Sequence, residues 1–287
     1  MWRVWIASLL MLPAGCGARS DGELLKSGGG QQSMTLSAGG SLPSKADPNA
    51  APHAIPVVIS LQVYHLTAPF GAISGNDEFW KRIDEDRIDV ATRDLLLKNG
   101  LRVGIGRNVD WPYYKGLMGK YPSSRSIPIH TEVGKEGNIE LPMRTNIPEQ
   151  NIFGLDDKNV DWGRTFEKCD DLLGISFVAS THNPGLTIVK VCPIVHSLKR
   201  EFHVSVMNNE EVQIDFNQPS YLYDMRLEAM VPLNDFLIVA PSRRAAVSTS
   251  LGGTFLVTEG KTEPIEHVLV IVPSAFRIDD PATGDGK

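Results

Sequence analysis

From Ser126 to the carboxy-terminal tail the chain is a succession of short apolar or alternating runs separated by turns, and this punctuation constrains its fold more than any other feature. The runs fall at residues 139–143, 172–180, 186–195, 212–216, 225–232, 236–240, 254–258 and 267–272. Alternation with period two, rich in Val, Ile and Phe, reads as β-strand. Pro193, Pro232, Pro241 and Pro273 each stand at or near the close of a run. A residue without an amide donor is pushed to sheet edges and strand ends. The expected class is α+β, with a β-rich antiparallel sandwich or meander over residues 126–278.

Ahead of it the periodicity changes. Residues 55–66 (IPVVISLQVYHL) alternate as a strand, and Gly75-Asn76-Asp77-Glu78 opens a short helix carrying Phe79, Trp80 and Ile83. Asp89 is placed to cap a second helix whose apolar contacts are Val90, Leu95, Leu96 and Leu97, with Asn99-Gly100 as its left-handed stop. A strand resumes at 101–105, and a third short helix is expected over 111–118. This strand-helix-helix-strand order predicts a small N-terminal α/β unit over residues 55–125.

Residues 16–54 contain Gly28-Gly29-Gly30-Gln31-Gln32-Ser33, Ser37-Ala38-Gly39-Gly40-Ser41, Pro43, Pro48 and Pro52, with almost nothing apolar to bury. Such a segment cannot recover its ordering entropy and is expected to be a flexible linker. The tail 279–287 reads the same way. Before the linker stand Met1-Trp2-Arg3, an apolar run over 4–12 and Pro13-Ala14-Gly15-Cys16. One positive charge, a short apolar core and small residues are the parts of a secretory signal, here residues 1–15. The run is well short of the ~20 residues of a spanning helix. Leu12-Pro13-Ala14-Gly15-Cys16 resembles the lipobox of bacterial lipoproteins, with one departure: Pro13 stands where that family usually has Leu, Val or Ile. The resemblance implies cleavage before Cys16, acyl chains such as palmitate on its thiol and amino terminus, and the membrane as a partner. It places the protein in the bacterial cell envelope, facing the periplasm or the exterior. The alternative is an ordinary signal peptide cut elsewhere, with Cys16 unmodified.

The chain carries 28 basic against 34 acidic residues, a net charge of −6, and no basic stripe; Lys199-Arg200 and Arg243-Arg244 are isolated pairs. That balance argues against nucleic acid as a partner. Besides Cys16, only Cys169 and Cys192 remain. Outside the cytoplasm a disulfide is permitted. A two-strand register about the turn at 181–185 would set Cys192 opposite Gly174 instead of Cys169, so a bond and two buried thiols both stay open.

Few residue patterns carry chemistry. Gly104-Ile105-Gly106 follows a strand but lacks the third glycine of a dinucleotide loop, and reads as a structural turn. Of the seven histidines, none pairs at i, i+4; His65 and His267 lie inside strands, where a hydrogen-bonded structural role is expected. His196 and His203 flank a turn, and a zinc site there would need two further ligands. No Gly-x-Ser-x-Gly motif occurs, and Ser248 to Gly253 reads as a turn. The acidic groups Asp84, Glu85, Asp86, Asp89 and Asp156-Asp157 lack the spacing of a calcium loop and read as solvated charge. No catalytic residue, metal ligand or cofactor is assigned. The candidate binding surface is Trp111, Tyr113, Tyr114 and Tyr121, crowded into one segment with Lys115 and Lys120. A core patch beneath a loop would explain the same four aromatics.

A second resemblance is spread along the chain. Residues 57–66, then 174–177 with 187–195 (TIVKVCPIV), then 236–240, 249–256 and 268–273 (VLVIVP) resemble, in the right order, strands of the outer-membrane secretin domain. The departure is Ser250-Leu251-Gly252-Gly253-Thr254, where that family has a proline-rich Leu-Gly motif. This implies a secretin-like envelope assembly component that keeps the sheet and not the pore. The expectation is a lipid-anchored cell-envelope protein of binding or scaffolding type with an envelope protein as partner. The alternatives are the secretin-like component and an extracytoplasmic hydrolase, the latter needing two carboxylates about 5–10 Å apart.

Overall fold

The structure is a computed structural model that describes residues 57–121, 125–180, 183, 185–197, 201–207, 210–216 and 219–277. The first fifteen residues, Cys16, the linker and the tail 279–287 lie outside the described residues. The strands are β1 (Val57–Pro69), β2 (Ile83–Asp84), β3 (Leu101–Gly106), β4 (Arg125–Glu132), β5 (Gly137–Leu155), β6 (Asp161–Ala179), β7 (Leu186–Ser197), β8 (Glu201–Met207), β9 (Glu210–Phe216), β10 (Pro219–Tyr221), β11 (Leu227–Pro232), β12 (Phe236–Pro241), β13 (Val257–Thr258) and β14 (Ile265–Arg277). The helices are α1 (Asp77–Trp80), α2 (Val90–Lys98), α3 (Trp111–Met118) and α4 (Leu251–Leu256). The protein is β-rich and α+β, and all its strand ladders are antiparallel.

Sheet A runs β2-β3-β12-β14-β1-β4, with β13 beside β14; sheet B runs β10-β7-β6-β5, with β11 also on β7. In β12, Leu237 and Val239 enter one core cluster while Phe236, Ile238 and Ala240 enter another. A strand buried on both faces reads as a continuous apolar run, as 236–240 does. The larger cluster joins Leu61, Val103 and Leu269 of sheet A to Leu173, Ile175 and Val189 of sheet B, with Leu96 of α2 and Phe255 of α4. The smaller lies on the other face of sheet A, where Phe79, Trp80, Tyr114 and Met118 of α1 and α3 cover it. Sheet A draws on both sides of residue 125: β12 and β14 separate β3 from β1, and β1 pairs with both β14 and β4.

Several local signals act as their chemistry demands. The Asp89 carboxylate accepts from the Thr92 amide at 2.9 Å, capping α2. Asn99 ends the helix and Gly100 follows at φ +89°. The expected helix over 111–118 is α3.

Several expectations need correction. Ile83 lies in β2 and not on the first helix, and Gly104-Ile105-Gly106 is not a turn but the end of β3. Residues 254–258 do not form a strand: Ser250 caps α4 by accepting from the Gly253 amide at 3.1 Å, all six residues of the helix are buried, and only Val257–Thr258 is extended. Gly252 is required there because a methyl group on it would sit 2.0 Å from the Gly100 carbonyl oxygen. The prolines also punctuate less than expected. Pro232 and Pro241 end their strands, but β7 continues through Pro193 and β14 through Pro273. Pro193 falls at the break between β10 and β11, and Pro273 lies beyond the reach of β12, so neither missing donor costs a ladder bond on that side.

Candidate functional site

The four aromatics singled out from sequence belong largely to the core. Tyr114 is buried, donates its hydroxyl to the Phe79 carbonyl at 2.7 Å and packs edge-on against Phe79 and Phe236. Burial of the ring drives its phenol pKa well above the ordinary value. Trp111, Tyr113 and Tyr121 are partly buried against the same cluster, Trp111 between Tyr64 and Phe236. Arg82 lies over the Tyr113 ring, 4.6 Å from its centroid. Lys115 and Lys120 are exposed.

The remaining polar signals resolve into structural roles. Glu85 pairs with Arg102, Asp86 with Arg93, and Asp84 accepts from the Asp86 amide. Asp156 closes the β5–β6 turn by accepting from the amides of Lys158 and Val160. Gly104 and Gly106 lie within β3, making room for the side chains of Ile83 and Phe236. Cys192 lies opposite Gly174 and Cys169 opposite Ser197. Both thiols are free and buried, and burial pushes each to about 11, which keeps them protonated. His65 Nε2 meets His267 Nδ1 at 2.9 Å, and His267 Nε2 meets the Thr258 hydroxyl at 2.9 Å. Burial lowers the pKa of both rings, that of His267 to about 4 with His65 adding to the effect. Among the described residues no group of three His, Cys, Asp or Glu side chains could hold a metal ion.

The feature that sequence reading missed is the β5–β6 ribbon. Its two 19-residue strands begin in sheet B and shift register between Pro142 and Ile147. There Asn146 and Lys168 take positive φ, 56° and 45°. Inside this bend Gln150 Nε2 donates to Asp171 Oδ1 at 2.6 Å and lies 3.2 Å from Cys169 Sγ. Asp171 Oδ2 and Gln150 Oε1 have no hydrogen-bond partner, and Arg144 Nη1 stands 3.9 Å from Asp171 while donating to the Thr254 carbonyl. Burial raises the Asp171 pKa to about 6.

Beyond the bend the ribbon docks where α2 ends and α4 begins. The Asn99 amide group donates to the Leu155 carbonyl at 3.0 Å and accepts from the Leu155 amide at 2.8 Å, acting as a short piece of neighbouring strand. Phe153 donates its amide to the Thr249 carbonyl at 2.8 Å. At the ribbon's end, cross-strand partners are Phe153 with Gly163 and Gly154 with Trp162. A methyl group on either glycine would stand 2.6 Å from the partner ring, so each aromatic lies flat over a backbone that glycine leaves bare.

This seam holds a cavity of about 630 Å³ whose lining includes Lys98, Phe153, Trp162, Arg244, Val247 and Ser250. Most of its polar lining is already committed. Ser250 Oγ donates to the Val247 carbonyl and caps α4, and Asn99 holds the ribbon. Lys98 Nζ donates to Asn159 Oδ1 at 2.6 Å, and Arg244 Nη1 to the Lys98 carbonyl at 3.3 Å. Among the described residues neither cation is paired with a carboxylate. Such a lining can hold an acceptor-rich, partly apolar group.

Searched against protein-family models, curated proteins and solved structures, the chain matches none of them. No helix among the described residues is long and apolar enough to cross a membrane.

Proposed function

We propose that this protein is a binding or scaffolding component of the bacterial cell envelope, held at a membrane by acyl chains on Cys16, that engages another envelope molecule at the seam between the β5–β6 ribbon and α4. The observation that carries the binding role is the seam cavity: aromatic rings seated over glycines, beside two cations whose partners are neutral oxygens. The anchor is supported by the apolar run over 4–12 ending in Gly15-Cys16, and by the apolar-poor linker after it. Metabolic labelling with a fatty acid should mark the protein and not its Cys16→Ser variant; equal label in both refutes the anchor. A photoreactive residue at the exposed Val247 should recover one defined partner in intact cells, and an uncross-linked monomer counts against the binding role.

A secretin-like assembly role is the second reading. It is favoured by the strand edges: among the described residues β4 and β5 each end a sheet, and β8 pairs only with β9. Unpaired edges accept a further strand. That reading expects stable rings on native gels, and a clean monomer ends it.

A further inference from the structure

We infer that the seam cavity binds a carboxylate carried on an aromatic or branched apolar group; this rests on the binding role proposed above and names the chemistry of its ligand. Asn99 and Ser250 are tied up in holding the ribbon and capping α4, so they offer a ligand little. Besides the buried Trp162 indole N–H, which has no hydrogen-bond partner, the unfilled capacity lies with Lys98 and Arg244, each with one bond made out of three and five donors.

Both groups carry only donors and only positive charge. Arg244 reaches the backbone carbonyl of the residue that bears the ammonium, so the two cations belong to one rim. A chain of net charge −6 that leaves two adjacent cations without carboxylates presents a local site for an anion. A guanidinium fork matches a planar carboxylate.

The rest of the wall selects the body that carries the charge. Phe153 and Val247, 54% and 60% exposed, line the cavity together with Trp162 and give it a contiguous apolar wall. The volume lies within the range of small-molecule sites. Asp161, also on the lining, would repel a second negative charge. A single carboxylate on a flat or branched apolar group satisfies all three features; it could come from a free aromatic acid or from the carboxy-terminal residue of a peptide.

The test is calorimetric titration of the full-length chain in detergent with N-acetyl-L-phenylalanine and with its amide. The acid should bind at least tenfold more tightly than the amide, and more weakly as salt is raised. Lys98→Gln with Arg244→Gln should weaken it at least tenfold while lowering the melting temperature by no more than a few degrees, since each loses one exposed hydrogen bond. Equal binding of acid and amide, no saturable binding of the acid, or binding that the double variant leaves intact each overturns the assignment. A short peptide ending in Phe with a free carboxylate identifies the source: tighter binding than the amino acid assigns a chain terminus, equal binding a free acid, and both keep the inference. If cross-linking from Val247 recovers a partner while the acid fails to bind, the ligand chemistry is refuted and the binding role stands.

Discussion

Sheet A and the bend of the β5–β6 ribbon both bury polar groups, with different outcomes. In sheet A the fully buried Glu266 carboxylate accepts from the amides of Gly71, Ile73 and Ser74, the shortest at 2.5 Å, and so fixes the loop after β1. His267, one residue on, is bonded on both ring nitrogens. At the ribbon bend Asp171 is just as buried, yet one of its oxygens has no donor and Gln150 is left with an idle acceptor. A satisfied buried network rigidifies its surroundings, whereas a half-satisfied one costs free energy that the fold elsewhere must offset. Sheet A is therefore the scaffold. The bend keeps a buried polar pair only partly satisfied.

Removing the Glu266 carboxylate is the strongest way to break this contrast. Glu266→Ala strands three amides in the loop after β1 and should destabilise the protein by about 3–5 kcal/mol in urea denaturation. A loss below about 1 kcal/mol would mean that the loop finds other acceptors and that sheet A is no better satisfied than the bend.

The pH response separates the two regions by sign. Burial holds both histidines below the ordinary value, so as pH falls the unfolded chain takes up protons first. Stability present above 6.5 should be lost as pH falls toward the folded value of about 4 for His267. The loss should reach about 2–3 kcal/mol, and His267→Gln should remove most of it.

At the seam, Asn99→Ala deletes three hydrogen bonds that end α2 and hold Leu155. The expected loss is about 2 kcal/mol, with amide exchange accelerated over residues 149–166 and unchanged in β12 and β14. Uniform acceleration would show that the ribbon and sheet A open together.

The smallest effect is expected at the bend. The folded chain keeps the Asp171 proton up to about 6, whereas the unfolded chain releases it near 3.8, so stability should fall as pH rises between those values. Asp171→Asn should flatten that slope and stabilise the protein at pH 7 by about 1–2 kcal/mol. Destabilisation at pH 7 would mean that Arg144 already compensates the ionised carboxylate.

Part of this organisation was legible in the residues. Most of the alternating runs, the Asp89 cap, the Asn99-Gly100 stop and the pairing of Cys192 with Gly174 follow from local rules, and the structure shows them. Outer β5 and β6 were illegible because their apolar residues are sparse: the ribbon buries Ile147 and Ile152 but exposes much of what lies between. Helix α4 was misread because Gly252-Gly253 suggests a turn, and only the close approach of Gly100 explains why a helix needs glycine there. The cue that could have exposed the seam was the aromatic–glycine pair Phe153-Gly154 facing Trp162-Gly163 across a hairpin.

The sequence alone determined most of the element types and the antiparallel β-rich class, because period and capping are local properties. Tertiary structure decided that Trp111, Tyr113, Tyr114 and Tyr121 pack against the core, and that Lys98, Phe153, Trp162 and Arg244 line one cavity. Those four come from α2, the two strands of the ribbon and the turn before α4. Side chains so distant along the chain meet only where burial and hydrogen bonding outweigh the entropy of closing the loops between them.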